Sequence, residues 1–283
     1  MANRKQDAGR EAQVRKGWWR SHRWLVLRRL TQSLVLLMFL SGPLFGVWIL
    51  HGNYSASRLL DTVPFSDPLM VLQSLASGHL PATLALAGAL IIAVGYALAG
   101  KRLFCSWVCP VNPLTDLAAW LRRCLGITAS ATLSCSLRYW LLGLILLGSA
   151  VLWEWINPVS LTGRGLIFGF SAGVWLLTAL FLFDLLVVEH GWCGHLCPTG
   201  ALYGVLGCKS ALVVEAAERT RCTRCMDCFH VCPEPQVLRA PLLDKHSPVQ
   251  VTDRDCITCG LCIDAYAEDV FKITLRWKSG ARS

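Results

Sequence analysis

Charge is what this chain has least of: only 16% of its 283 residues are Asp, Glu, Lys or Arg, against 54% hydrophobic. Acidic residues are the scarcer kind, 18 against 27 basic. That balance excludes an ordinary soluble domain and places the chain among membrane proteins. The charges are also segregated. Residues 30–50, 80–100, 139–156 and 166–188 are nearly free of them, and each run is long enough, or nearly so, to cross a hydrocarbon core of about 30 Å.

Basic residues are missing from alternate connections. Residues 1–29 carry nine and 101–138 carry five, whereas 51–79 holds only Arg58 and 157–165 only Arg164. Lys and Arg are retained on cytoplasmic flanks, so both termini and the 101–138 connection are expected inside and the two basic-poor loops outside. The net charge of +9 does not point to nucleic acid, because nine of the 27 basic residues precede the first span, as topology determinants and lipid-surface contacts. A cleaved leader is disfavoured, since signal cores span about 7–15 residues. The first span is expected to be a retained anchor.

Fourteen cysteines lie on, or close to, stretches assigned to the inner side. Metal ligation is therefore expected rather than disulfides. Seven of them read Cys222-x2-Cys225-x2-Cys228-x3-Cys232-Pro233 and Cys256-x2-Cys259-x2-Cys262. Two-residue gaps curl a short loop around three corners of an iron-sulfur cube, and the cysteine before proline serves the other cluster. Paired C-x2-C zinc sites use two cysteines per loop, so zinc fits less well.

One cysteine is absent where the spacing asks for it: Tyr266 stands at the fourth position of the second run. If Cys232 crosses over to Cys256, Cys259 and Cys262, the set Cys222, Cys225 and Cys228 is left one thiolate short. A 3Fe-4S cluster, or a 4Fe-4S cube with a labile corner, is the first expectation. A Tyr266 phenolate, a hydroxide or a displaced Cys208 are the alternatives.

The membrane half is written twice. Two apolar runs lead to Cys105-x3-Cys109-Pro110, and two more to Cys193-x3-Cys197-Pro198. Both copies leave the membrane on the same side, as parallel repeats. Helical spacing would put each pair on one face. Cys105, Cys109, Cys193 and Cys197 are thus candidates for one metal or cluster, for two redox dithiols, or for buried packing cysteines. Cys124, Cys135 and Cys208 show no such pattern and read as packing residues.

The expected fold is a polytopic α-helical membrane protein with four transmembrane helices in two parallel hairpin repeats, followed by a C-terminal two-cluster ferredoxin-like α+β domain. Its segments are a basic N-terminal stretch (1–29), a first hairpin ending in C-x3-C-P (30–110), an inner connection (111–138), a second hairpin ending in C-x3-C-P (139–198), a connector (199–220) and the 4Fe-4S domain (221–283). Short strands are expected at 250–252 and 271–274. Metal coordination supplies folding free energy that so small a core lacks.

With these motifs, and with the stretch from Cys228 to Leu238 reading CFHVCPEPQVL, the chain resembles the NapH family of membrane-bound ferredoxin-type proteins of periplasmic nitrate reductase systems, to which the methylamine-utilisation MauN proteins are related. Tyr266 departs from that family's second four-cysteine motif. The resemblance implies an inner-membrane electron-transfer subunit of a quinol dehydrogenase. It also implies a periplasmic polyferredoxin partner, NapG, and a periplasmic cytochrome downstream.

A quinol gives up two protons with its two electrons, so its site needs proton-accepting groups beside an apolar cleft. Asp184 lies within the fourth apolar run and Glu154 near the outer end of the third, and an Asp at the centre of a span costs about 2.5–3.5 kcal/mol on insertion scales. His51 and His79 adjoin the outer ends of the first two runs and titrate near neutrality. Each has a plainer reading: a snorkelling carboxylate, an aromatic-belt neighbour for Glu154, or a solvated histidine. A redox maturation factor and a non-redox scaffold stabilised by its metals are the competing functions.

Overall fold

A computed structural model describes residues 8–127, 130–148, 153, 156–168, 172–244, 247–268 and 270–277. The first helix, α1 (Arg10–Phe45), turns at Gly17, whose φ of 77° lies outside the helical region. It ends at Gly46, left-handed at φ 71°, whose N–H caps the Gly42 carbonyl at 2.8 Å. Among the described residues this is the one helix long and apolar enough to cross a membrane.

The connection after α1 is not an open loop. Strands β1 (Leu50–Gly52), β2 (Ala56–Leu59) and β3 (Val63–Ser66) form an antiparallel sheet in that order. Asn53 closes the first reversal by accepting the Ser55 and Ala56 N–H groups on Oδ1, each at 2.9 Å. Asp67 then caps α2 (Pro68–Ala76), with Pro68 at the first helical position and the Leu69 N–H on Asp67 Oδ1. The sheet lies against α3 (Thr83–Ala99): a Cβ built on Gly88 would stand 3.0 Å from Pro64 O and Ser66 N. The stretch expected outside therefore folds back along the apolar helix.

The next elements are α4 (Leu103–Trp107), α5 (Val111–Cys124), α6 (Leu137–Leu147), α7 (Pro158–Phe168) and α8 (Ala172–Leu186). α1 starts well before its apolar run, whereas α3 and α6 are shorter than theirs, and each ends for a local reason. Gly46 and β1 end the first run early, Gly100 in extended backbone closes the second, and Gly148 stops α6. The fourth run is divided between α7 and α8.

A π-helical turn (Trp192–Leu196) leads to α9 (Pro198–Leu206), and β4 (Leu212–Ala216) follows. Then come α10 (Asp227–Val231), α11 (Arg239–Leu243), α12 (Leu261–Ala265) and β5 (Phe271–Leu275). β5 pairs antiparallel with β4, from Leu212 opposite Leu275 to Ala216 opposite Phe271, so a strand from the stretch read as a connector completes the sheet. Gln250 makes only an isolated bridge to Glu215 where a strand was expected. Val214, Val237, Leu238, Val251, Ile263 and Phe271 form the core beneath the cysteine loops.

Candidate iron-sulfur centres

The two ferredoxin runs share one backbone pattern. Arg224 and Met226 in the first (φ 55° and 68°), and Thr258 and Gly260 in the second (φ 48° and 76°), are left-handed at matching positions on either side of the middle cysteine. Three of these are not glycine, and such backbone persists where its surroundings demand it. Alternating handedness turns successive N–H groups into one concavity, the nest that receives anionic groups and iron-sulfur clusters. The Leu261 N–H lowers the Cys259 thiol against the pull of burial.

Cys232 has Cys259 and Cys256 as electrostatic neighbours, and Cys262 has Cys259, Cys232 and Cys256. Cys262 also has Cys228 nearby, so the two runs adjoin. Cys228 instead has Cys225 and Cys222 beside it. Burial pushes Cys256 up to about 11 and Cys228 up to about 12. Thiols so held lose their protons when a metal takes their place. The donor set and the nests fit 4Fe-4S clusters.

Tyr266 sits beside Cys222 on the short side of the first set. It is buried in the domain core, its hydroxyl accepts the Thr223 N–H at 2.7 Å, and it donates to Arg221 O at 3.3 Å. Burial raises its pKa, which keeps the phenol protonated. Cys208 is exposed on a separate turn, where its carbonyl accepts from Arg276.

The four C-x3-C-P cysteines come together. Cys193 has Cys109, Cys197 and Cys105 as neighbours, and Cys109 has Cys105 and Cys197. The pairs are not on regular α-helix. In both copies the second cysteine N–H spans five residues back, Cys109 to Phe104 O and Cys197 to Trp192 O, each at 2.9 Å. Both turns are entered through a left-handed residue three before the first cysteine, Arg102 (φ 45°) and His190 (φ 52°). Wide turns of this kind recur at functional sites. Cys197 also accepts the Gly200 N–H on its sulfur at 3.4 Å, while the Asn112 N–H goes to the Cys109 carbonyl at 3.3 Å. Among the described residues no three His, Cys, Asp or Glu side chains close tightly enough to ligate a single ion.

Direct contacts join this site to the ferredoxin loops. Ser106 Oγ donates to Ile257 O at 2.7 Å, and Trp107 Nε1 to Thr258 O at 3.3 Å. Arg102 donates to Glu234 Oε1 at 2.8 Å, Asp255 O at 3.1 Å and Cys193 O at 2.7 Å, so one guanidinium ties both copies to the C-terminal domain. Arg138 adds Glu234 at 2.7 Å and Asp255 Oδ2 at 2.7 Å, and Tyr139 donates to Asp255 Oδ1 at 2.7 Å. From α1, Arg28 reaches Ser106 O, Asn112 and Asp116, while Gln32 reaches Ser106 O and Asn112. The structure corrects the reading of Arg28 as a lipid-surface charge: it is fully buried.

Of the four residues weighed for quinol, the three described ones stand in separate surroundings. Asp184 is fully buried, and its Oδ1 accepts the Trp192 N–H at 3.0 Å, bracing the turn that carries Cys193. His51 is exposed, stacked on Trp48 with ring centroids 4.6 Å apart and 3.4 Å from Asp61. His79 is exposed too, with Nδ1 3.1 Å from Ser77 O. Glu154 lies outside the described residues. Of the buried network of Arg102, Arg138, Glu234 and Asp255, only Glu234 fell within a stretch singled out in the sequence, and Arg102 and Arg138 pass for flanking charges of spans.

Fold and site together define an iron-sulfur electron-transfer protein. The family described as "4Fe-4S binding domain" matches residues 81–128 and 168–209, and that described as "4Fe-4S dicluster domain" matches 215–265. The "Ferredoxin-type protein NapH" of Escherichia coli is 71% identical over the full length of both chains. That of Haemophilus influenzae is 57% identical over 98% of each. The "Methylamine utilization ferredoxin-type protein MauN" of Methylorubrum extorquens is 48% identical over 95% of each. No solved structure matches. The chain belongs to the NapH/MauN family of ferredoxin-type proteins.

Proposed function

We propose that this protein is a multi-pass membrane electron carrier that draws on quinol and passes electrons toward a periplasmic nitrate reductase system, with NapG and a periplasmic cytochrome as partners. The observation that carries the reading is position: the four-cysteine site joins the apolar helices on one side and touches the ferredoxin loop of Cys256 and Cys259 through Ser106 and Trp107 on the other. When bound, iron-sulfur clusters supply one-electron carriers, whose potentials follow ligation, hydrogen bonds to sulfur and burial. Cys105, Cys109, Cys193 and Cys197 would hold one. Cys232, Cys256, Cys259 and Cys262 would hold a second, and Cys222, Cys225 and Cys228 a three-iron or labile third.

Four spans in two hairpin repeats, with both termini and the ferredoxin domain cytoplasmic at the bacterial inner membrane, belong to the same proposal. The domain boundaries given above go with it. Its support is the alternation of basic residues and the large apolar side chains left exposed on α1, α3, α6 and α8, such as Leu34, Leu90, Leu144 and Trp175. NapH in the printed names of relatives supports the nitrate reductase link.

The test is anaerobic purification and paramagnetic resonance during titration with quinol. Reduction of the clusters by quinol is the expected result. Reduction only by another donor would replace this reading with a maturation factor, and no redox-active signal would leave a metal-stabilised scaffold.

A further inference from the structure

Beside the four-cysteine site lies a cavity of about 260 Å³, walled by α1, α3 and the β1–β3 sheet. Small-molecule pockets run from roughly 300 to 1,000 Å³, so this one takes a single substituted ring rather than an extended tail. Its wall is mostly apolar: Met38, Phe39 and Ile92 come from the helices that bear the exposed apolar side chains. At the inner end Phe104 stacks on Tyr203 with centroids 5.1 Å apart and planes at 28°, and Tyr96 meets Tyr203 edge-on at 5.2 Å.

Two polar groups stand out in that lining. Among the described residues the buried Tyr54 hydroxyl has no hydrogen-bond partner, an arrangement that costs about 1–3 kcal/mol unless something fills it. Asp67 gives Oδ1 to the Leu69 N–H at 2.9 Å and keeps Oδ2 available. The cavity also abuts the cysteines. Val108 precedes Cys109 and Thr199 follows Pro198 in its lining, and Tyr54 and Tyr96 are electrostatic neighbours of Cys109 and Cys105.

Resting on the quinol reading above, we propose that this cavity holds the quinol headgroup, Asp67 accepting a hydrogen bond from one ring hydroxyl and Tyr54 donating to the opposite ring oxygen. The chemistry matches part by part. A quinol presents two hydroxyls at opposite ends of a flat apolar ring. The cavity presents an acceptor, a donor and an aromatic floor, next to the thiols assigned to a cluster. Withdrawal from water pushes the Asp67 carboxyl up to about 6, against the pull of the Leu69 N–H, so it both accepts and releases a proton near neutrality.

The test uses the full-length holoprotein in nanodiscs and 2-heptyl-4-hydroxyquinoline N-oxide as the probe, with binding read by quenching of its fluorescence. Tyr54→Phe and Asp67→Asn are each expected to weaken binding about ten-fold, the worth of one buried hydrogen bond. Ile92→Trp, which fills the cavity, is expected to abolish it. Cluster absorption and the melting temperature report whether each variant is folded. Wild-type binding left unchanged in folded Tyr54→Phe and Asp67→Asn overturns the location while quinol reduction of the clusters continues. Failure of the wild type both to bind the probe and to be reduced by quinol overturns the functional reading and the site together. Displacement of the probe by oleate as readily as by a quinol makes the cavity a lipid-tail slot and overturns the proposal.

Discussion

Arg102 and Glu234 meet at 2.8 Å with side chains 1% and 3% exposed. The pair joins the residue three before Cys105 to the residue two after Cys232, and Arg138 shares the same carboxylate oxygen. A buried pair is weak evidence of stability in itself, but removing one partner strands the other's charge. Glu234→Gln leaves Arg102 without its counter-charge and Arg138 with Asp255 alone, and is expected to cost about 3–5 kcal/mol. Thermal melting of the detergent-solubilised protein measures it, and alkylation of Cys193 should rise as Arg102 releases its carbonyl. An unchanged melt would show that Asp255 alone suffices.

The two 4Fe-4S regions were legible because cysteine spacing encodes a shape directly. The buried ion network was not. Arg28, Arg102 and Arg138 flank apolar runs, where a charge serves equally as a topology signal or as a core partner, and only tertiary structure distinguishes the two. The sheet at 50–66 was hidden for another reason: a basic-poor stretch with His51, Arg58 and Asp61 reads as a solvated loop, and nothing local reveals that Gly88 of a distant helix makes room for it. The i, i+4 expectation for the cysteine pairs missed the wider turns through Phe104 and Trp192, whose bonds skip a fifth residue.

On the proposal that the four C-x3-C-P thiols form one site, Cys105→Ser and Cys193→Ser should each remove the same paramagnetic signal, with the double variant no worse than either single one. Resonance spectra of the reduced protein decide it. Separate partial losses that sum in the double variant would mean two independent dithiols.

Tyr266 gives a gain-of-ligand experiment. Its hydroxyl is already committed to Thr223 and Arg221, so the wild type is expected to show a three-iron or easily converted cluster alongside ordinary cubes. Tyr266→Cys should bring that cluster to four irons. Iron analysis with low-temperature resonance of oxidised samples is the measurement. Full four-iron occupancy in the wild type, unchanged in the variant, would refute it.

Asp67 sets a pH dependence whose sign follows from its raised pKa. Folded at about 6 against an ordinary 3.8, it binds a proton more tightly in the native state, so stability declines as pH rises between those values and is level above them. The melting temperature of the wild type relative to Asp67→Asn should therefore fall from pH 4 to pH 6 and then flatten. A difference that grows with pH would contradict the assignment of a raised carboxyl.

The guanidinium of Arg102 also imposes an order in time. Ribosomes deliver a chain from its N-terminus at about 5–20 residues per second, and Glu234 emerges after Arg102, Arg138 and every C-x3-C-P cysteine. Until it does, two arginines beside the nascent cysteine pocket have no Glu234 to bury them against, which holds that region hydrated and open. The four thiols lie beside that region until the ferredoxin segment arrives to cover it. The ferredoxin segment is thus made after the cysteine pocket that it covers.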